Sequence, residues 1–143
     1  MDRLLYPSVI GGALLAAAFA TATPAMAQNS QEITVSGEYG TAPSNVQSLS
    51  IPVSYADLDL TKEADRKLLQ HRINLTARFL CNKLGEENAA SPVAPTCRGG
   101  AVTKAMTQQV RPVEANFTPR PAGWTPEPVW TPPYPADWPT KYP

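Results

Sequence analysis

The chain has a single histidine, two cysteines and no tryptophan before residue 124, and these scarcities set the first limits on what it does. His71 has no serine, cysteine or metal-ligating residue at helical spacing around it. Nucleophilic catalysis and a histidine-based metal centre therefore have no actors to assign. Cys81 and Cys97 are too far apart to form the C-x-x-C arrangement that poises a thiol for redox exchange. Charge of either sign is also sparse and balanced, with twelve acidic and twelve basic residues and a formal net charge of zero. No basic face points to nucleic acid, and no acidic run is long enough to store cations. With neither a nucleophile beside a base nor a metal-ligand cluster, no enzymatic activity and no cofactor are expected.

Long apolar runs are confined to the start of the chain. Arg3 is followed by an apolar and small-residue stretch from Val9 to Ala20, closed by Ala25-Met26-Ala27. That is the order of an export signal with an A-x-A cleavage site, which makes residues 1–27 a signal peptide of bacterial type and Gln28 the first mature residue after Ala27. The run is shorter than the roughly 20 residues a membrane helix requires, so no stable membrane span is expected after cleavage. An uncleaved N-terminal anchor is the alternative. On the first reading the protein is periplasmic or secreted.

Proline is abundant, and its placement divides the rest. Of sixteen prolines, those from Pro112 onward crowd the last segment, where each removes a backbone N–H and fixes φ. Residues 112–143 are therefore read as a Pro/Trp-rich extended tail. The foldable body before it is small enough to need a covalent staple.

Within that body, Ile33 and Val35 alternate with polar neighbours, and Leu49, Ile51, Val53 and Tyr55 repeat the period of two, predicting two strands. Gly40, Pro43 and Asn45 mark a loop between them. Pro52 inside the second strand places it at a sheet edge or makes it irregular at one end. Thr61 is the expected N-cap of a long helix with Glu63 and Asp65 in its first turn, running to about Lys83 and stopping near Gly85. Its apolar residues form two stripes: Leu69, Ile73, Ala77, Leu80 and Leu84 on one side, and Leu68, Leu75 and Phe79 on another. A second helix spans about Cys97 to Val110, with Pro112 as its stop. Gly99 and Gly100 weaken it by roughly 1 kcal/mol each relative to alanine. In an exported chain the two cysteines pair by default, and a disulfide across the intervening loop is worth about 3 kcal/mol. The fold class read from this order is α+β, with residues 28–45 as an N-terminal segment and 46–111 as a strand-helix-helix domain.

The stretch Val53, Tyr55, Asp57, Leu58, Asp59, Leu60, followed by Arg72, Ile73, Ala77, Arg78, Cys81 and then Cys97-Arg98, resembles the UrcA family of small exported proteobacterial proteins. The resemblance implies a signal peptide, a strand, a long helix and a second cysteine opening a short helix. It implies no activity and no catalytic residue. Gly99-Gly100 and the tail depart from the family pattern.

Two constellations remain as candidate sites. Asp57, Asp59, Glu63 and Asp65 gather acids at the strand-helix joint. The residues that follow lack the glycine and terminal glutamate of a calcium loop, so the acids are read as punctuation, with metal or small-ligand binding in a stress role as the alternative function. Arg66, Arg72 and Arg78 are six residues apart and do not share a helix face, which reads as solvated charge. In the tail, Trp124, Trp130, Tyr134, Trp138 and Tyr142 recur among prolines, and polyproline geometry presents such side chains at low entropic cost. The tail folds back onto the domain, docks on an envelope protein or polymer, or stays disordered without specific contacts. The function expected is a non-enzymatic cell-envelope protein that binds through it.

Overall fold

A computed structural model describes residues 31–39, 47–86, 96–126 and 130–143. The expected signal segment, its Ala27–Gln28 boundary and most of the loop around Pro43 fall outside those residues. The described chain is α+β. Strands β1 (Glu32–Tyr39) and β2 (Gln47–Ser54) form a two-stranded antiparallel sheet, followed by helix α1 (Glu63–Lys83) and helix α2 (Cys97–Ala105). A π-helical turn, Met106–Val110, leads into α3 (Arg111–Ala115), and a last short helix, α4, covers Trp138–Lys141.

The sheet obeys its sequence period. Ile33 faces Val53 and Val35 faces Ile51, and this face packs on the helices, with Ile33, Val35 and Val53 buried. The outer face is polar, where the Ser36 and Ser50 hydroxyls hydrogen-bond across the strands at 2.8 Å. Pro52 is tolerated for a specific reason. Its partner is Thr34, whose N–H donates to Gln109 Oε1 at 2.8 Å and whose carbonyl accepts from Gln109 Nε2 at 2.6 Å. Thr34 therefore turns its backbone away from β2, so this pair exchanges no ladder bonds and the missing proline N–H is not needed. The Gln109 amide meanwhile covers part of the open edge of β1.

Helix α1 buries Leu69, Ile73, Ala77 and Leu80 against the sheet, as its first apolar stripe requires. The second stripe is only partly realised: Leu75 is buried and Phe79 half-buried, but Leu68 is 41% exposed. The start of α1 differs from expectation as well. Its N-cap is Lys62, with no side-chain cap, because the Thr61 hydroxyl and N–H both donate to Asp59 Oδ1, at 2.6 and 3.1 Å. Asp65 instead reaches back to accept the Asp59 N–H at 2.8 Å, closing the turn by side chains on both sides. At the other end Gly85, at φ +96°, makes the left-handed exit expected of it. Gly85 N–H bonds Asn82 O and Glu86 N–H bonds Cys81 O, the paired bonds of a Schellman ending.

That ending aims Glu86 at α2. Its carboxylate accepts from the Cys97 and Arg98 N–H groups at 2.8 and 3.1 Å, while Thr96 Oγ1 accepts from Gly99 N–H at 3.0 Å. Three otherwise unpaired donors of a glycine-weakened helix are thus satisfied. The Cys81–Cys97 disulfide, with Cα atoms 5.8 Å apart, ties the same turn to α1. Gly37 of β1 sits directly on this bridge. A Cβ there would clash with Leu80 Cδ1 and meet Cys97 Sγ at 2.8 Å and Cys81 Sγ at 3.0 Å.

Pro112 does not stop the second helix. The Arg111 N–H bonds to Met106 O, five residues back, so the π-helical turn re-registers the backbone ahead of a proline at the N-terminal end of α3, and the helix runs on to Ala115. Val110 is buried, and Val113 and Phe117 pack against the core, so the folded body extends beyond residue 111.

Candidate functional site

The strand-helix joint is built around two guanidinium groups. Arg72 on α1 donates to both carboxylate oxygens of Asp57, at 2.7 Å for Nη1 to Oδ1 and 2.5 Å for Nη2 to Oδ2, and its Nη1 also donates to Ser54 O at 3.0 Å. The two side chains are only 11% and 15% exposed, so Arg72 is a largely buried, bidentate partner and not solvated charge. These hydrogen bonds hold the Asp57 carboxyl below its ordinary pKa, assisted by the charge of Arg72 and, less, of Arg120, against the opposing effect of burial. Arg66 likewise turns inward, donating to Leu60 O and Thr61 O, both at 3.0 Å.

The second guanidinium is Arg120, which arrives from the proline-rich segment. Its Nε and Nη2 donate to Leu58 O at 2.9 and 2.8 Å, and Nη2 also lies 3.0 Å from Ala56 O and from Gln31 Oε1. The rings of Phe117 and Trp124 flank it, with centroids 5.2 and 4.8 Å from Cζ. The Tyr55–Leu58 turn presents its carbonyls to Arg120 while Asp57 faces Arg72. A cleft of about 570 Å³ opens beside it, lined by Gln31, Tyr55, Val113, Phe117 and Arg120 among others. Burial pushes the Tyr55 phenol above its ordinary pKa, with Arg120 pulling the other way.

The four acids considered as a metal site are therefore engaged individually. Asp57 binds Arg72, Asp59 accepts from Thr61 and lies 3.8 Å from Lys62, Asp65 accepts from Asp59 N–H, and Glu63 pairs with Lys67 at 2.7 Å. Among the described residues, Cys81, Glu86 and Cys97 are the one group of three ligand-type side chains close enough to share an ion. Their sulfurs are bonded to each other and Glu86 is engaged by α2, so the group reads as a structural knot. His71 is exposed on α1.

The aromatic residues of the last segment converge on α1. Trp130 stacks on Arg72, with Cζ 4.9 Å from the ring centroid, and Tyr134 meets Trp130 edge-on at 6.0 Å. Phe79 meets Tyr134 and Trp138 in T-shaped contacts at 6.3 and 5.4 Å, and Trp138 packs on Tyr142 at 4.5 Å. Cations interleave with the rings: Arg78 and Lys141 lie 4.8 and 5.4 Å from Tyr142, and Lys83 lies 4.8 Å from Phe79. Burial, then the charge of neighbouring Arg98, lowers the pKa of Arg78. The second side of α1 is thus met by this segment. Of the tail's described residues, Trp130, Tyr134 and Trp138 lie against Arg72 and Phe79 of α1, and Trp124 lies against Arg120.

Arg120 and Gly37 carry roles the sequence reading missed. A lone arginine between two aromatics in a proline-rich stretch was the available signal for the first. For the second it was a glycine in the middle of an alternating strand, which implies close approach of another group. No protein-family model, curated protein or solved structure matches the chain. Among the described residues, no helix is long and apolar enough to cross a membrane.

Proposed function

We propose that this chain is an exported, non-enzymatic cell-envelope protein of the UrcA type, periplasmic or secreted, that acts by binding through its Pro/Trp-rich C-terminal segment. The observation that carries this reading is the aromatic and cationic seam where residues 130–143 lie on α1. Trp130, Tyr134, Trp138 and Tyr142 remain half-exposed there beside Arg78, Lys83 and Lys141. Aromatic rings combined with arginine are the residue types that concentrate binding energy at interfaces.

The test is retention of the tagged protein by the envelope fraction of its host, with and without residues 130–143. This truncation spares Arg120, Val113 and Phe117, which belong to the folded body. Loss of retention with an intact folded core supports the reading. Equal retention of both forms refutes it.

A further inference from the structure

In an antiparallel pair, successive residues of a strand turn their backbone groups alternately toward the partner strand and away from it. Gln31 O accepts from Tyr55 N–H at 2.8 Å, while the N–H and C=O of Thr34, opposite Pro52, turn outward to Gln109. The odd-numbered residues of β2 therefore bond β1, and Ser48, Ser50, Pro52 and Ser54 aim their backbone groups at the opposite edge. That edge is closed at one end, where Ser54 O accepts from Arg72 at 3.0 Å and Pro52 has no N–H to offer. Nothing among the described residues hydrogen-bonds the N–H or C=O of Ser48 or Ser50.

Folded proteins guard such edges with charge, proline or a covering group. The outer side of β1 has Glu32, Glu38 and the Gln109 amide, whereas residues 47–51 of β2 contain no charge and no proline. On the helix side of the sheet Leu49 and Ile51 are only partly buried, so apolar surface reaches the same edge. A strand, and not a helix or a small ligand, satisfies a row of backbone groups with this spacing.

We propose that β2 pairs with β2 of a second copy of this chain, antiparallel about a two-fold axis at Leu49, joining the two sheets into one of four strands. The sequence of β2 is complementary to itself in that register. Ser48 N–H donates to Ser50 O of the second copy, Ser50 N–H donates to Ser48 O of the second copy, and the axis repeats both bonds. Leu49 meets its own counterpart across the axis, and Ile51 lies opposite Gln47. Pro52 falls just beyond the paired residues, so its ring and missing N–H face no partner. A shift that brought Pro52 opposite Ser48 would leave the Ser48 carbonyl against that ring. With no charge on residues 47–51 and a formal net charge of zero on the chain, no like-charge repulsion opposes the pairing. The inference is independent of the tail and of the binding function proposed above.

The experiment uses the exported protein with its Cys81–Cys97 disulfide intact. Sedimentation velocity over a concentration series is expected to show a monomer–dimer equilibrium. Ser50→Pro leaves the bonds to β1 in place, because the N–H it removes points outward, but it deletes half of the intermolecular bonds and should weaken dimerisation about tenfold or more. Ser36→Ala, which removes the same Ser36–Ser50 hydroxyl contact without touching the edge, should stay within about twofold. Register is read separately by cross-linking on non-reducing gels. Leu49→Cys faces its counterpart at the axis and should form a disulfide-linked dimer, whereas Ser48→Cys lies out of step with its own counterpart, beyond the roughly 7 Å reach of a disulfide, and should not. A chain that stays monomeric at millimolar concentration, a dimer indifferent to a folded Ser50→Pro, or Ser48→Cys cross-linking as well as Leu49→Cys would each overturn the proposal.

Discussion

Removing the Asp57–Arg72 pair should damage stability more than a surface ion pair can, because both side chains are more than four-fifths covered and the contact is bidentate. Exposed pairs contribute about 0.2 to 1 kcal/mol. Breaking a buried pair by deleting one partner costs about 3 to 5 kcal/mol, since the other charge is left without compensation. Given the residual exposure, Asp57→Ala and Arg72→Met are each expected near the low end, about 3 kcal/mol. The double variant should recover part of that loss, with a coupling of about 2 kcal/mol. Urea unfolding of the four proteins, followed by far-ultraviolet circular dichroism, supplies the cycle. Acid titration supplies an independent check. The folded pKa of Asp57 is lowered, so its contribution is complete above the ordinary carboxylate value and is lost as pH falls through the lowered one. The stability gap between the parent and Asp57→Ala should therefore be flat near neutrality and close in acid. A coupling of about 1 kcal/mol or less would place the pair in the surface class and refute the argument.

Gly37→Ala should cost about 1 to 3 kcal/mol and lower the yield of oxidised protein, because the new methyl meets Leu80 and both sulfurs at 3.0 Å or less; thermal melts and free-thiol assay read both effects. The two glycines of α2 should part company. Gly100→Ala finds open space and should gain up to about 1 kcal/mol, whereas the Cβ of Gly99→Ala would press on the capping Thr96 Oγ1 at 2.9 Å and forfeit that gain in the same melts. Reducing the Cys81–Cys97 bridge should lower the unfolding free energy by about 3 kcal/mol in matched denaturant curves with and without dithiothreitol.

Where a single element decided its own form, the sequence was readable. The period-two alternation around Ile33 and Val35 and the spacing of Leu69, Ile73 and Leu80 each reflect one face buried against one neighbour, and the helix end at Gly85 reflects a backbone conformation that glycine favours. What escaped it was the identity of partners. Nothing local distinguishes an arginine that meets water from Arg72, whose aspartate lies fifteen residues away, or from Arg120, whose carbonyl acceptors lie more than sixty residues earlier. Pro112 misled for a related reason. Proline forbids one hydrogen bond, and a π-helical turn just before it removes the need for that bond, an arrangement that involves several residues at once.

The Tyr55 to Leu60 motif shows what this implies for reading acids at a strand end. Two aspartates around a leucine suggest a cation, and the joint does hold cations, but they are guanidinium groups supplied by the protein itself. Asp57 takes Arg72 with its carboxylate, and the turn takes Arg120 with its carbonyls. One arginine comes from the long helix and the other from the proline-rich segment, so the motif fastens both of these to the end of the sheet. Trp130 extends the same contact, stacking on the arginine that Asp57 orients. Asp57 is therefore two contacts removed from the surface proposed to bind, and its effect on it is positional: it holds Arg72, on which Trp130 stacks where the seam begins.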